Sequence, residues 1–210
     1  MSGHEYCWEK EKDLRRWLVK KLKENAYFIE VRTANLVSDG LDDYCRKYYQ
    51  NLGVLGSEVD VVLTTKRELI GIELEYIRPG DKLFEKLQHS IGQALLFLMI
   101  GFHKVGLLHF FHPDISKEIA ENCATLIRDL FKNDLPDGTA HTVNYLCVRV
   151  IRIDENRYRL DVVKSWPDYE EVFNPLFFGR WLLDLALPNC RHDVEERRRC
   201  LKVALKAPIR

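Results

Sequence analysis

Glu58-Val59-Asp60-Val61-Val62-Leu63-Thr64, a short turn, and then Glu68-Leu69-Ile70-Gly71-Ile72-Glu73-Leu74-Glu75-Tyr76 are two apolar runs that carry acids where a core strand normally carries none. Both are rich in β-branched and aliphatic residues. Thr65-Lys66-Arg67 supplies the turn, so the pair reads as a hairpin with strands over 59–64 and 68–76. Charge inside a core strand costs several kcal/mol unless something compensates it. Glu73 and Glu75 are two residues apart and project from one face of the sheet. Asp60, on the neighbouring strand, can come alongside them. A divalent cation is the readiest compensation for three clustered carboxylates, and oxygen donors favour hard ions such as Mg²⁺ or Mn²⁺. A second reading places Glu73 and Glu75 on the exposed face of an edge strand, paired with Lys66, Arg67 or Arg78. Periodicity alone leaves both open.

Outward from the hairpin, Pro79-Gly80 breaks the chain, and Asp81 is placed to cap a long apolar helix over 82–100. A strand follows over 105–111, then a helix from Pro113-Asp114 to about 132. A second hairpin spans 143–153 and 158–163. Helices over 168–186 and 192–205 complete the chain. Before the first hairpin, Leu14, Trp17, Leu18 and Leu22 recur at helical spacing, which predicts a helix over 8–25. A strand is expected over 27–32. Residues 34–56, with Asp39-Gly40 and Asp42-Asp43, read as a long loop holding at most one helical turn. The alternation predicts an α/β fold with a mixed central β-sheet flanked by helices.

The chain has 210 residues, 46% of them apolar, which suits a single domain over 1–210 with a sizeable core. Lys and Arg number 32 and Asp and Glu number 32, so no global field draws the chain toward nucleic acid or membrane. The N-terminus is polar and lacks a secretory pattern. The apolar stretch 91–111 carries Gln93, His103, Lys104 and three glycines, so a buried helix followed by a buried strand is expected, not a membrane span. The expected setting is intracellular and cytoplasmic. Six cysteines form no CxxC pair, which argues against a zinc ribbon. Cys190 and His192 stand close in sequence without a completing set. Free thiols are the expectation, with Cys190 to Cys200 the disulfide considered.

At the hairpin the residues resemble a known pattern. Asp60 on one strand, followed by Ile72-Glu73-Leu74-Glu75 on the next, resembles the core motif of the PD-(D/E)XK nuclease superfamily. The helix-β-β-β-helix-β order over roughly 9–112 resembles its restriction endonuclease-like fold, with 140–210 as an extra C-terminal hairpin and helices. The resemblance implies that Asp60 and Glu73 bind Mg²⁺ or Mn²⁺. Glu75 stands where that family has its lysine, and as a carboxylate it would serve as a third metal ligand or a general base. Lys86, His89 and Gln93 share one face of the following helix. Gln93 resembles a glutamine that several branches of the superfamily place beside the site, with Phe97 in place of a tyrosine. Lys86 is read either as a solvated lysine or as the relocated positive charge. Glu11, on the first helix, is the candidate acid that completes the metal site, with Glu9 and Asp13 as competitors.

A neutral chain that binds DNA needs local basic surface, because phosphate contacts dominate affinity. Arg15, Arg16 and Lys20 on the first helix, and Arg46 and Lys47 beside Tyr48 and Tyr49, are the candidates; Arg197-Arg198-Arg199 is the densest basic run. The resemblance implies a metal-dependent DNA nuclease acting on branched, nicked or single-stranded DNA. A catalytically inactive nuclease-fold protein that binds nucleic acid or a protein partner is the alternative, and a small interaction module with merely surface acids is the third. Phe177, Phe178, Trp181 and Leu182 offer an apolar contact for a homodimer, or pack on their own domain.

Overall fold

The computed structural model describes residues 8, 10–134, 143–154, 157–167, 169, 173–183 and 192–206. Its elements run α1 (Glu11–Leu22), β1 (Glu30–Asn35), α2 (Asp43–Asn51), β2 (Glu58–Thr64), β3 (Leu69–Ile77), α3 (Leu83–Ile100), β4 (Lys104–Phe111) and α4 (Lys117–Asp129). One π-helical turn (Leu130–Asp134) extends α4, followed by β5 (Val143–Arg152), β6 (Tyr158–Trp166), α5 (Pro175–Leu183) and α6 (His192–Ala204). The six strands form one mixed sheet in chain order. β3, β4 and β5 run parallel, and β1, β2 and β6 pair antiparallel to their neighbours. Every residue of β3 and β4 is buried, as expected of central strands covered on both faces.

Side-chain alternation along these strands divides the core into two layers. Ile70, Ile72, Leu74 and Phe110 face α1 and α5, while Leu69, Ile77, Leu107 and Phe111 face α2, α3 and α6. Glu73 and Glu75 share the parity of Leu69 and Ile77, which turns them toward α3. α3 ends at Gly101, whose φ of 115° is the left-handed conformation that favours glycine. A Cβ there would also meet the Arg197 backbone of α6 at 3.0 Å. The same packing leaves no room for bulk where α3 turns into β4. No helix among the described residues is long and apolar enough to cross a membrane.

Several expectations need correction. The stretch read as a long loop contains the nine-residue helix α2, capped by Asp42, whose carboxylate accepts from the Cys45 N–H at 2.8 Å. It buries only Cys45 and Tyr49, one turn apart, a stripe too narrow for periodicity to reveal. β1 begins three residues later than expected, because Tyr27 and Ile29 lie exposed and Val31 and Ala34 supply the buried positions. Asp81 does not cap α3: its carboxylate accepts from the Arg78 N–H, and Lys82 stands at the cap position without a capping side-chain hydrogen bond. Cys200 pairs with Cys45, not Cys190, and only Cys123 and Cys147 are free among the described cysteines. Cys7, Glu9, Cys190 and the His192 side chain lie outside the described residues. Phe178, Trp181 and Leu182 are buried against α1 and the sheet, so their apolar surface is used within the chain. The Phe177 side chain lies outside the described ones.

Candidate functional site

The hairpin forks. β2 and β3 pair from Thr64 and Leu69 up to Val61 and Ile72, and there the ladder ends. On its other edge β2 pairs with β1 through a bulge: Val62 faces Arg32 and Val59 faces Ala34, so Asp60 and Val61 together oppose Thr33. A bulge bends a strand and re-aims a side chain. Here it sends β2 away from β3 and turns the Asp60 carboxylate into the gap, where Oδ2 accepts from the Leu74 N–H at 2.9 Å. The side chain thus satisfies a backbone donor that the parted strand no longer reaches. Glu73 and Glu75 continue along β3 beside that gap.

Asp60, Glu73 and Glu75 are 8%, 4% and 8% exposed. Glu11 reaches the same place from the first turn of α1, where its Oε2 accepts from the Tyr76 N–H at 3.2 Å. Two cations enter. Arg15, one turn after Glu11, donates to Asp60 Oδ1 at 2.5 Å and pairs with Glu58 at 2.8 Å. Lys86, in the first turn of α3, donates to Glu75 Oε1 and to the Tyr76 carbonyl. It also lies 3.4 Å from Asp81 and 3.9 Å from Glu11.

Four acids against two cations leave the cluster short of positive charge. Burial pushes the Glu73 carboxyl up to about 10, and the charges of Asp60, Glu75 and Glu11 add to it. Burial pushes Asp60 up to about 6 against the opposing pull of the Leu74 N–H and Arg15. Burial likewise lifts Glu75 to about 7 despite its bond to Lys86, with Glu11 contributing. Lys86 moves the other way from a buried lysine: burial lowers its pKa, but the bond to Glu75 and the charges of Glu75, Asp81 and Glu11 raise it overall. Burial and like charge thus shift several neighbouring groups together, as happens at functional sites and in structural ion-pair networks alike.

Gln93 completes the wall on the α3 side. The hydrogen-bond network sets its amide with the nitrogen toward Glu73, donating to both carboxylate oxygens, Oε2 at 2.8 Å. The far side of the amide faces the His89 ring, 3.4 Å away. Asp60, Glu73, Glu75, Glu11, Lys86 and Gln93 are thus brought together. Arg15 joins them instead of standing on open surface as a phosphate contact. The sequence carried a signal for this: Arg15 lies four residues after Glu11, on the same helical face. Asp81, expected only as a cap, also reaches the cluster through Lys86. Arg16, Lys20, Arg46 and Lys47 are exposed.

The donor set at the fork is all carboxylate and fits a hard divalent cation. Each acid nevertheless faces its own partner: Asp60 faces Arg15, Glu73 faces Gln93 and Glu75 faces Lys86. Among the described residues, the trio of potential ligand atoms gathered within 4.8 Å of one another is Cys45, Glu196 and Cys200, none of them a fork residue. No protein-family model, curated protein or solved structure matches the chain.

Proposed function

We propose that this chain is a metal-dependent DNA nuclease, built on a restriction endonuclease-like core, that hydrolyses phosphodiester bonds. One observation carries the reading: Asp60, Glu73, Glu75 and Lys86 converge at the strand fork, with the lysine arriving from α3 while an acid holds the strand position. Asp60 and Glu73 would hold Mg²⁺ or Mn²⁺, with Glu75 and Glu11 beside them. A bound ion would polarise the phosphate and lower the pKa of a coordinated water. Arg15 positions Asp60, and Gln93 positions Glu73. Lys86 supplies the positive charge nearest the reacting phosphate and keeps its proton at neutral pH because three acids surround it. Arg16, Lys20, Arg46 and Lys47 are the exposed cations available to backbone phosphates.

The test is cleavage of a panel of linear duplex, supercoiled plasmid, single-stranded, flap and four-way-junction DNA with Mg²⁺ or Mn²⁺. Metal-dependent cutting that disappears in Glu73→Ala is the expected result. DNA binding that persists in wild type and Glu73→Ala without any cutting would replace the proposal with a nuclease fold kept for binding alone. Neither cutting nor binding would sink both.

A further inference from the structure

Away from the fork, α2 and α6 meet at a second cluster of metal-ligating side chains. Cys45 and Cys200 form a disulfide across 155 positions of sequence, with Cα atoms 5.5 Å apart. Glu196 lies one helical turn before Cys200, so both face α2. One ligand atom from each of Cys45, Glu196 and Cys200 lies within 4.8 Å of the others. Both cysteines are buried and Glu196 is exposed. The helix backbones are fixed around them: Tyr49 Oη, one turn after Cys45, lies 2.9 Å from the carbonyls of both Ile100 and Arg197 and donates to one at a time. Arg199 Nη2 donates to Glu196 Oε1 and Asp42 Oδ2, each at 2.6 Å, and lies 3.6 Å from Cys45 Sγ.

We infer that Cys45, Glu196 and Cys200 form a second metal site, opened by reduction, that takes one Zn²⁺-class cation. Two thiolates and a carboxylate are a borderline-soft donor set, unlike the all-oxygen set at the fork. The disulfide and the metal exclude each other because both use the same two sulfurs. A dithiol reductant gives the disulfide two electrons and two protons and is itself oxidised to a disulfide, leaving two thiols on the protein. Zn²⁺ then displaces both thiol protons to solvent. The loaded cluster carries one net negative charge, and the Arg199 guanidinium beside it offsets that charge. Three protein ligands would leave a fourth position for water. Either link staples α2 to α6, so the helix contact survives in oxidising and in reducing surroundings. The inference is independent of the nuclease reading.

The test uses the full chain, reduced with a trialkylphosphine (which takes up the oxygen of one water as the disulfide gains two hydrogens) and then freed of chelator. Titration with Zn²⁺ should restore the melting temperature lost on reduction, at one equivalent. Titration with Co²⁺ should give thiolate-to-cobalt charge-transfer absorption and tetrahedral ligand-field bands. A variant with Cys7, Cys123, Cys147 and Cys190 all changed to Ser should keep both responses, and Cys200→Ser should lose both. Glu196→Gln should weaken Zn²⁺ at least ~10-fold while leaving the oxidised protein's melting temperature little changed. A reduced protein with no thiolate–cobalt band, or a Cys200→Ser variant with the full Zn²⁺ response, overturns the inference. Should Cys200→Ser not fold, an unchanged Zn²⁺ affinity in Glu196→Gln overturns it instead.

Discussion

The Lys86 ammonium donates both to the Glu75 carboxylate and to the Tyr76 carbonyl, so one side chain of α3 bridges two consecutive residues of β3. That bridge makes Lys86 and Glu75 a unit. Replacing Lys86 by Met should lower single-turnover cleavage at least ~100-fold, the scale of a lost proton-handling or charge-stabilising group. Glu75→Lys alone places two ammonium groups together and should also be poor. The double exchange, Glu75→Lys with Lys86→Glu, restores one of each and should exceed either single variant. Rates for wild type, Glu75→Lys, Lys86→Glu and the double exchange close a double-mutant cycle and decide it; simple additivity would mean that the two side chains do not work together.

Asp60 does two jobs, and two substitutions separate them. Asp60→Asn keeps an oxygen for the Leu74 N–H and relieves repulsion on Glu73, so stability should stay within about 1 kcal/mol. Asp60→Ala leaves that buried N–H without an acceptor, while Arg15 keeps Glu58 at 2.8 Å. The loss should then be about 1–3 kcal/mol, the cost of one unsatisfied buried donor. Urea unfolding midpoints at fixed m-value measure both. Equal losses in the two variants would show that the Leu74 bond contributes nothing.

Glu73 ties stability to pH. Its folded-state pKa is raised from 4.5 to about 10, so the folded protein binds this proton more tightly than the unfolded chain. Stability is therefore highest below the unfolded value and falls as pH rises between the two. Glu73→Gln should flatten this slope and raise the melting temperature above neutrality. Mg²⁺ bound only to the folded wild type should stabilise it more at high pH, where carboxylates are free to ligate, and should leave Glu73→Gln unmoved. Thermal melts across pH with and without Mg²⁺ give both results.

His109 sets the opposite limb. It is fully buried in β4, with Nε2 2.8 Å from Ser90 Oγ and Nδ1 without a hydrogen-bond partner among the described residues. Burial, with the charge of Lys86 adding, lowers its pKa from 6.5 to about 3. The stability it confers is present above 6.5 and is lost as pH falls toward the folded value. His109→Gln should make the melting temperature less steep across that acid window, and an unchanged slope would assign acid sensitivity elsewhere.

What the sequence made legible were elements with strong periods. The β2–β3 hairpin, α3, β4 and the later hairpin appear close to where alternation and apolar runs place them. The acids stood out because charge is anomalous in such runs. Other features had no comparable signal. Tyr27-Phe28-Ile29 looked like a strand, although two of its three side chains lie exposed. α2 buries two residues in nine, below what periodicity detects. The Cys45–Cys200 pairing spans 155 positions and depends on how α6 docks on α2, which no local pattern encodes. The bulge that aims Asp60 depends on β1, a neighbour whose register only the assembled sheet fixes.

The neighbour order of the sheet, identical to the chain order, bears on how a growing chain assembles. Every residue of the acid fork, with Arg15, Lys86 and Gln93, precedes β4, although α1, which carries Glu11 and Arg15, also packs on α5 near the end of the chain. When synthesis has just passed β4, that strand has a paired side against β3 and a bare side of eight residues that the finished protein keeps wholly buried. An apolar strand with an open edge is a template for pairing with another chain. β5 is therefore the strand that prevents β4 from recruiting a neighbour during biosynthesis. A fragment ending just after β4 would hold every fork residue and still be prone to aggregate.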